Sequence, residues 1–266
     1  MRVNISFVQM DVIFGEREKN QAAIQRLTED LPQNCDFLVL PELWNIGYDL
    51  EHLEEKGELL EGASVQFLKY IAKKHNVNII GGSIAEKKDG LFYNTMPVIS
   101  RKGELIDNYR KVHLFSHALR EPDYFSEGDE WGLTKIDGLT CGLMLCYDLR
   151  FPAFCRNLVL RDASVIFVPA QWPAARKDHY IALLKARAIE NQVYVIGVNR
   201  CGKDRISYGG GSMIISPDGT VLAAADEEEK LVSCDIYVEE DHYIRKMIPV
   251  FQDRRNILDE IDNNLF

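Results

Sequence analysis

Three strand-like stretches of this chain end on a side chain that can do chemistry. Gly142-Leu143-Met144-Leu145 leads to Cys146, after which the polarity switches to Asp148 and Arg150. Phe37-Leu38-Val39-Leu40-Pro41 leads to Glu42, and the strand-like segment Asn108-Tyr109-Arg110-Lys111-Val112-His113-Leu114 carries Lys111. A thiol with an ordinary pKa of about 8.5 is mostly protonated at neutral pH, so it reacts only beside a base or positive charge. If the three strand ends converge, Glu42 takes the thiol's proton, the more readily if partial burial raises its pKa toward the working pH. Lys111 then steadies both the thiolate and a tetrahedral oxyanion, with the backbone N–H of Tyr147 as a second donor. Taken singly, each residue has a plainer explanation. Glu42 after a proline reads as a turn or cap residue, Lys111 between Arg110 and His113 as a solvated charge, and Cys146 as a small core hydrophobe.

Alternating elements must bring these ends together. Apolar, β-branched runs predict strands over 3–10, 37–40, 77–80, 95–100, 139–145, 165–169, 193–199 and 211–215. Amphipathic spacing predicts helices over 16–30, 64–75, 151–161 and 178–192. On the last helix Tyr180, Leu183, Leu184, Ala188 and Gln192 share a face, and Arg187 and Glu190 are spaced to pair. Arg101-Lys102-Gly103 and Ser216-Pro217-Asp218-Gly219 read as hairpin connections. No linker or internal repeat is present, so one α/β domain spanning 1–266 is expected, with a polar C-terminal arm from about 241.

Composition narrows the functional classes. A net charge of −10 disfavours nucleic acid as a partner, because phosphate binding needs clustered lysine and arginine. No segment approaches the roughly 18 apolar residues of a membrane span. The first residues begin directly as a strand-like alternation, with no long apolar region or small-residue cleavage site, so a cytoplasmic location is expected. The six cysteines include no Cys-x-x-Cys pair, and the six histidines show no zinc-type spacing, so neither a disulfide framework nor a metal site is expected. Gly209-Gly210-Gly211 and Gly81-Gly82-Ser83 lack the spacing of a phosphate-binding loop and read as places of close backbone approach.

In order, Leu-Pro-Glu-Leu at 40–43, Tyr-Arg-Lys-Val-His-Leu at 109–114 and Cys-Tyr-Asp-Leu-Arg-Phe-Pro at 146–152 resemble the nitrilase superfamily of carbon–nitrogen hydrolases. Supporting matches run through Val168-Pro169-Ala170, the segment 185–192 and 209–212, so the resemblance extends from the first strand to about Asp235. It implies an α/β fold built as a four-layer αββα sandwich. It implies Glu42 as general base, Lys111 as oxyanion cation and Cys146 as nucleophile, with no metal or organic cofactor. A further glutamate after the lysine supports such sites; Glu121 matches best, with Glu127 as its competitor. The resemblance also implies a homodimer packed through the helices after Cys146 and around Arg187.

Within the superfamily, the segments 146–152 and 171–176 are most similar to the omega-amidase branch, which hydrolyses monoamides of dicarboxylates such as 2-oxoglutaramate to the dicarboxylate and ammonia. The implied route is a thioester on Cys146, then hydrolysis by water activated by Glu42. The substrate's far carboxylate requires a cationic clamp, for which Arg176 is the candidate, with Trp172 and Tyr48 walling the pocket. Amidases of deaminated glutathione, N-carbamoyl amide hydrolases and nitrilases use the same triad and stand as alternatives. A catalytically silent dimeric scaffold is a further class, against which the intact triad argues.

Overall fold

Alternate residues of the first strand face two different cores, and that period of two organises the molecule. The computed structural model describes residues 1–117, 120–238 and 240–255. Its strands are β1 (Arg2–Gln9), β2 (Phe37–Val39), β3 (Asn78–Ile80), β4 (Ile84–Lys88), β5 (Leu91–Ile99), β6 (Leu105–Arg110), β7 (Leu133–Ile136), β8 (Leu139–Leu143), β9 (Val165–Ala170), β10 (Tyr194–Asn199), β11 (Cys201–Lys203), β12 (Ser207–Gly209), β13 (Met213–Ile215), β14 (Val221–Ala224) and β15 (Lys230–Tyr237). Its helices are α1 (Arg17–Leu27), α2 (Leu53–Lys56), α3 (Ala63–His75), α4 (Pro152–Val159), α5 (Lys177–Asn191), α6 (Glu240–Met247) and α7 (Val250–Asp253).

One sheet has the order β15-β1-β2-β3-β5-β4, with β6 also paired to β5; the other has the order β14-β13-β10-β9-β8-β7. Val3, Ile5 and Phe7 of β1 and Phe37 and Val39 of β2 point into the core between the sheets, where Val165, Phe167 and Val195 meet them. Val8, Met10, Leu38 and Leu40 point the other way, onto Ile24 of α1 and Val65, Leu68 and Ile71 of α3. Leu158 of α4 and Tyr180, Leu184 and Ala188 of α5 cover the second sheet. The result is the expected αββα sandwich. Because each sheet is covered on both faces, its central strands are buried, β9 and β10 throughout and β1 from Val3 onward.

All eight predicted strands are present in whole or part, and the two hairpin connections join β5 to β6 and β13 to β14. The 211–215 strand begins only at Met213, because Gly210 and Gly211 take φ of +58° and +80°. An added Cβ on Gly210 would lie 2.3 Å from the Asp226 carbonyl, as expected for a site of close approach. The predicted helix over 16–30 ends at Leu27 and tightens into a 3₁₀ turn. The helix starting after Phe151 has Pro152 in its first turn, and the long helix stops where Gln192 turns left-handed. The Arg187–Glu190 pair forms at 2.9 Å. Strands β4, β7, β11, β12, β14 and β15 were absent from the sequence expectation; β14 and β15 are short of buried residues, which weakens their apolar signal. The C-terminal stretch forms α6 and α7, held near α4 and α5 by Gln192 donating to the Ile248 carbonyl at 2.8 Å and Arg156 lying 4.9 Å over the Phe251 ring. The rest of the expected arm, residues 256–266, lies outside the described residues.

Strands β1, β2 and β3 are mutually parallel, as are β8, β9 and β10. Both parallel sets deliver their carboxyl ends to one crevice, the place where open α/β sheets characteristically bind ligands.

Candidate active site

Glu42 follows β2, Lys111 follows β6 and Cys146 lies just past β8, so the convergence required of the three strand ends occurs. Glu42 is reached by a loop pressed against Gly82, whose φ is +59° and whose missing Cβ would lie 2.0 Å from the Pro41 carbonyl. The Leu43 N–H then donates to Ser83 Oγ at 2.8 Å, and Leu43 itself sits at φ +42°. Cys146 opens a 3₁₀ turn over Cys146–Arg150 at φ +43°, a conformation few non-glycine residues adopt and one that marks a held, functional turn.

Lys111 is the hub. Its Nζ donates to Glu42 Oε1 at 2.8 Å and to the two carboxylate oxygens of Glu121 at 2.8 and 2.9 Å, and all three residues are buried. Glu121 also accepts from Tyr48 Oη at 2.8 Å and from the Phe115 N–H at 2.7 Å. Glu127, its competitor in the sequence, is exposed, and it is Glu121 that pairs with Lys111. Glu42 is fixed further by Asn94 Nδ2 on Oε1 at 2.9 Å and the Gln171 N–H on Oε2 at 3.0 Å. Gln171 Nε2 grips the Glu42 carbonyl at 2.7 Å.

Burial at the hub favours neutral forms, and the paired charges oppose it. Burial alone would depress the Lys111 ammonium, but Glu121, Glu42 and Cys146 override it and hold the group well above the ordinary lysine range. Glu121 is pushed up by burial and by the Glu42 charge, against the pull of Lys111. Burial, then Glu42, push the Cys146 thiol well up, while Lys111 and the Gln171 amide draw it partly back. The resting thiol is therefore protonated, and its activation requires a proton acceptor at the moment of attack.

A narrow pocket opens onto Cys146, walled by Tyr48, Phe115, Tyr147, Trp172 and Pro173 and rimmed by Arg150 and Arg176. Tyr48 and Trp172 both line this pocket. Arg176 is exposed at the rim, and its carbonyl accepts from Trp172 Nε1 at 2.9 Å. Arg150 lies 4.8 Å over the Trp172 ring, a second cation at the same mouth. Tyr147 follows Cys146 in the 3₁₀ turn, and its ring packs 5.0 Å from Phe115 and 5.3 Å from Phe151.

Sequence reasoning missed Asn94, Gln171, Phe115 and Arg150 as site residues. Arg150 stands in the cysteine segment and Gln171 directly before Trp172, so proximity was a usable signal for both. Asn94 lies mid-strand in β5, 52 residues from Glu42, with nothing local to mark it.

A sandwich of this kind, with a thiol beside an ammonium shared by two buried carboxylates, is the architecture of the nitrilase superfamily. The chain belongs to the carbon–nitrogen hydrolase family, whose model matches residues 4–240, and is a hydrolase of carbon–nitrogen bonds other than peptide bonds. It is 41% identical over 260 residues to the 2-oxoglutaramate amidase of Bacillus subtilis (strain 168), covering 97% of this chain and 100% of the relative. It is 31% identical over 263 residues to omega-amidase NIT2 of Homo sapiens, covering 96% and 95% of the two chains. Among solved structures it is similar to XC1258 of Xanthomonas campestris, a CN-hydrolase superfamily protein with an arsenic adduct in its active site, at a TM-score of 0.90 and 30% identity over 96% of this chain and 98% of that one.

Proposed function

We propose that the protein is an omega-amidase, hydrolysing the terminal amide of a small carboxylate-bearing substrate such as 2-oxoglutaramate. The carrying observation is the buried Glu42–Lys111–Glu121 set beside Cys146 in a pocket whose mouth bears two arginines. The 41% identity to 2-oxoglutaramate amidase supports the substrate class.

In the first half-reaction the Cys146 sulfur attacks the amide carbon as Glu42 accepts the thiol proton. Lys111 and the Tyr147 N–H face the oxyanion. The intermediate collapses with C–N cleavage, Glu42 returns its proton to the leaving nitrogen, and ammonia departs, leaving a thioester. In the second half-reaction Glu42 takes a proton from water, whose oxygen attacks the thioester; collapse expels the sulfur, which regains the proton as the carboxylic acid forms. Glu121 holds Lys111 with its ammonium charged and aimed. Arg176, with Arg150 beside it, receives the distal carboxylate against Trp172 and Tyr48.

The reading extends to one catalytic domain acting as a cytoplasmic homodimer. Leu160, just past α4, and Ile189 of α5 are exposed on the outer helical layer and support such a packing face. No helix among the described residues is long and apolar enough to cross a membrane. The test is ammonia release from a panel of small amides. 2-Oxoglutaramate and succinamate are expected to exceed matched amides lacking the distal carboxylate in kcat/KM. Equal values, or preference for a nitrile or N-carbamoyl substrate, would overturn the substrate assignment.

A further inference from the structure

The turn that carries Cys146 is tied to the segment that carries Lys111 by one carboxylate outside the reacting set. Asp148 is completely buried. Its Oδ2 accepts from Tyr109 Oη at 2.7 Å and from the Leu145 N–H at 2.8 Å. Its Oδ1 accepts from the His113 N–H at 3.0 Å and from His113 Nδ1 at 2.7 Å. A carboxylate only accepts, so Nδ1 bears the proton. Tyr109 precedes Lys111 by two residues and His113 follows it by two, while Leu145 is the residue immediately before Cys146. Asp148 therefore grips the lysine segment on both sides and the cysteine turn at its entry.

The partners are themselves held. The His113 ring stacks on Phe151 at 3.7 Å and 13°, with Phe154 edge-on at 5.3 Å. Tyr109 lies 6.2 Å from Phe154. The Asp148 N–H donates to the Leu145 carbonyl at 2.9 Å, so the turn is closed from both directions across Cys146. A non-glycine residue at φ +43° is strained and persists only where its surroundings over-determine it.

We propose that Asp148 is a positioning residue that fixes the Cys146 sulfur relative to the Lys111 ammonium and holds Cys146 in its left-handed conformation. The proposal rests on the roles given above to Cys146 and Lys111. Asp148→Asn is the direct test, since an amide offers one acceptor oxygen and turns its NH₂ toward two of the four donors. Its kcat is expected to fall about 100-fold, the scale of a small misplacement of reacting groups, with KM little changed. Alkylation of Cys146 by iodoacetamide, followed by intact mass, is expected to shift to higher pH, because Lys111 no longer stands at the thiolate. A merely structural role would lower Tm without moving that profile.

Where Asp148→Asn folds, it decides: native kcat and an unshifted alkylation profile overturn the proposal. Where it does not fold, Tyr109→Phe decides in the same terms. That variant removes one bond and keeps the ring, so the expected loss is about fivefold, the worth of one hydrogen bond. Cys146→Ala separates the two levels: full turnover there would remove the nucleophile reading itself, whatever Asp148 does.

Discussion

Glu42→Gln tests the proposed base with little change of shape, and the structure sets both magnitudes involved. Glu42 Oε1 accepts from Asn94 and Lys111, and Oε2 from the Gln171 N–H. A glutamine oxygen in the Oε1 place keeps the first two partners, while its NH₂ meets the Gln171 N–H and leaves that donor unsatisfied. Losing that bond and one charge beside Lys111 costs about 2–3 kcal/mol, since Glu121 still pairs the ammonium. Against a typical stability of roughly 5–15 kcal/mol, the variant remains folded. Removing a positioned base, by contrast, lowers turnover about 10²–10⁴-fold. The loss of activity therefore cannot come from unfolding. The assay is steady-state ammonia release beside a thermal melt, with intact-mass detection of an acyl adduct on Cys146 after mixing with substrate. A variant with native kcat would refute the assignment of Glu42. So would a loss of turnover matched by an equal loss of folded protein.

Four further outcomes follow from the structure. Cys146→Ala is expected to abolish ammonia release while leaving the melt near native, and Glu121→Gln to lower kcat where Glu127→Gln does not; the reverse ranking of the two glutamates would remove Glu121 from the site. Arg176→Leu or Arg150→Leu is expected to raise KM for the distal carboxylate substrate about 10–100-fold, the range of a charged hydrogen bond, and to leave an amide without that carboxylate unaffected. Burial raises the Cys35 thiol from 9.0 to about 11. Above pH 9 the unfolded chain thus releases a proton that the folded chain keeps, and stability falls as pH rises toward 11. Cys35→Ser is expected to flatten that part of the Tm–pH curve, and an unchanged slope would discount the thiol's contribution.

The layered fold was legible because central strands and covering helices must each bury an apolar face. The alternation in β1 already separated Val3, Ile5 and Phe7 from Val8 and Met10, and the structure assigned those two sets to different cores. Edge strands such as β14 and β15 were not legible, since half-exposed residues give no clear period, and the partner of β15 is β1 at the other end of the chain. Glu42, Lys111 and Cys146 stood out because each ends a strand-like segment with a reactive group.

What the sequence by itself determined, then, is which residues are chemically able and which segments deliver them. It ranked Glu121 above Glu127, six residues apart in one loop, on resemblance alone. Only the tertiary structure buried the first against Lys111 and left the second in water. Nor does any local pattern show that Asn94 reaches Glu42 or that Asp148 ties the Cys146 turn to Tyr109 and His113. Hydrogen-bond geometry and desolvation arise where distant strand ends meet, and it is there that a thiol, an ammonium and two carboxylates become one site.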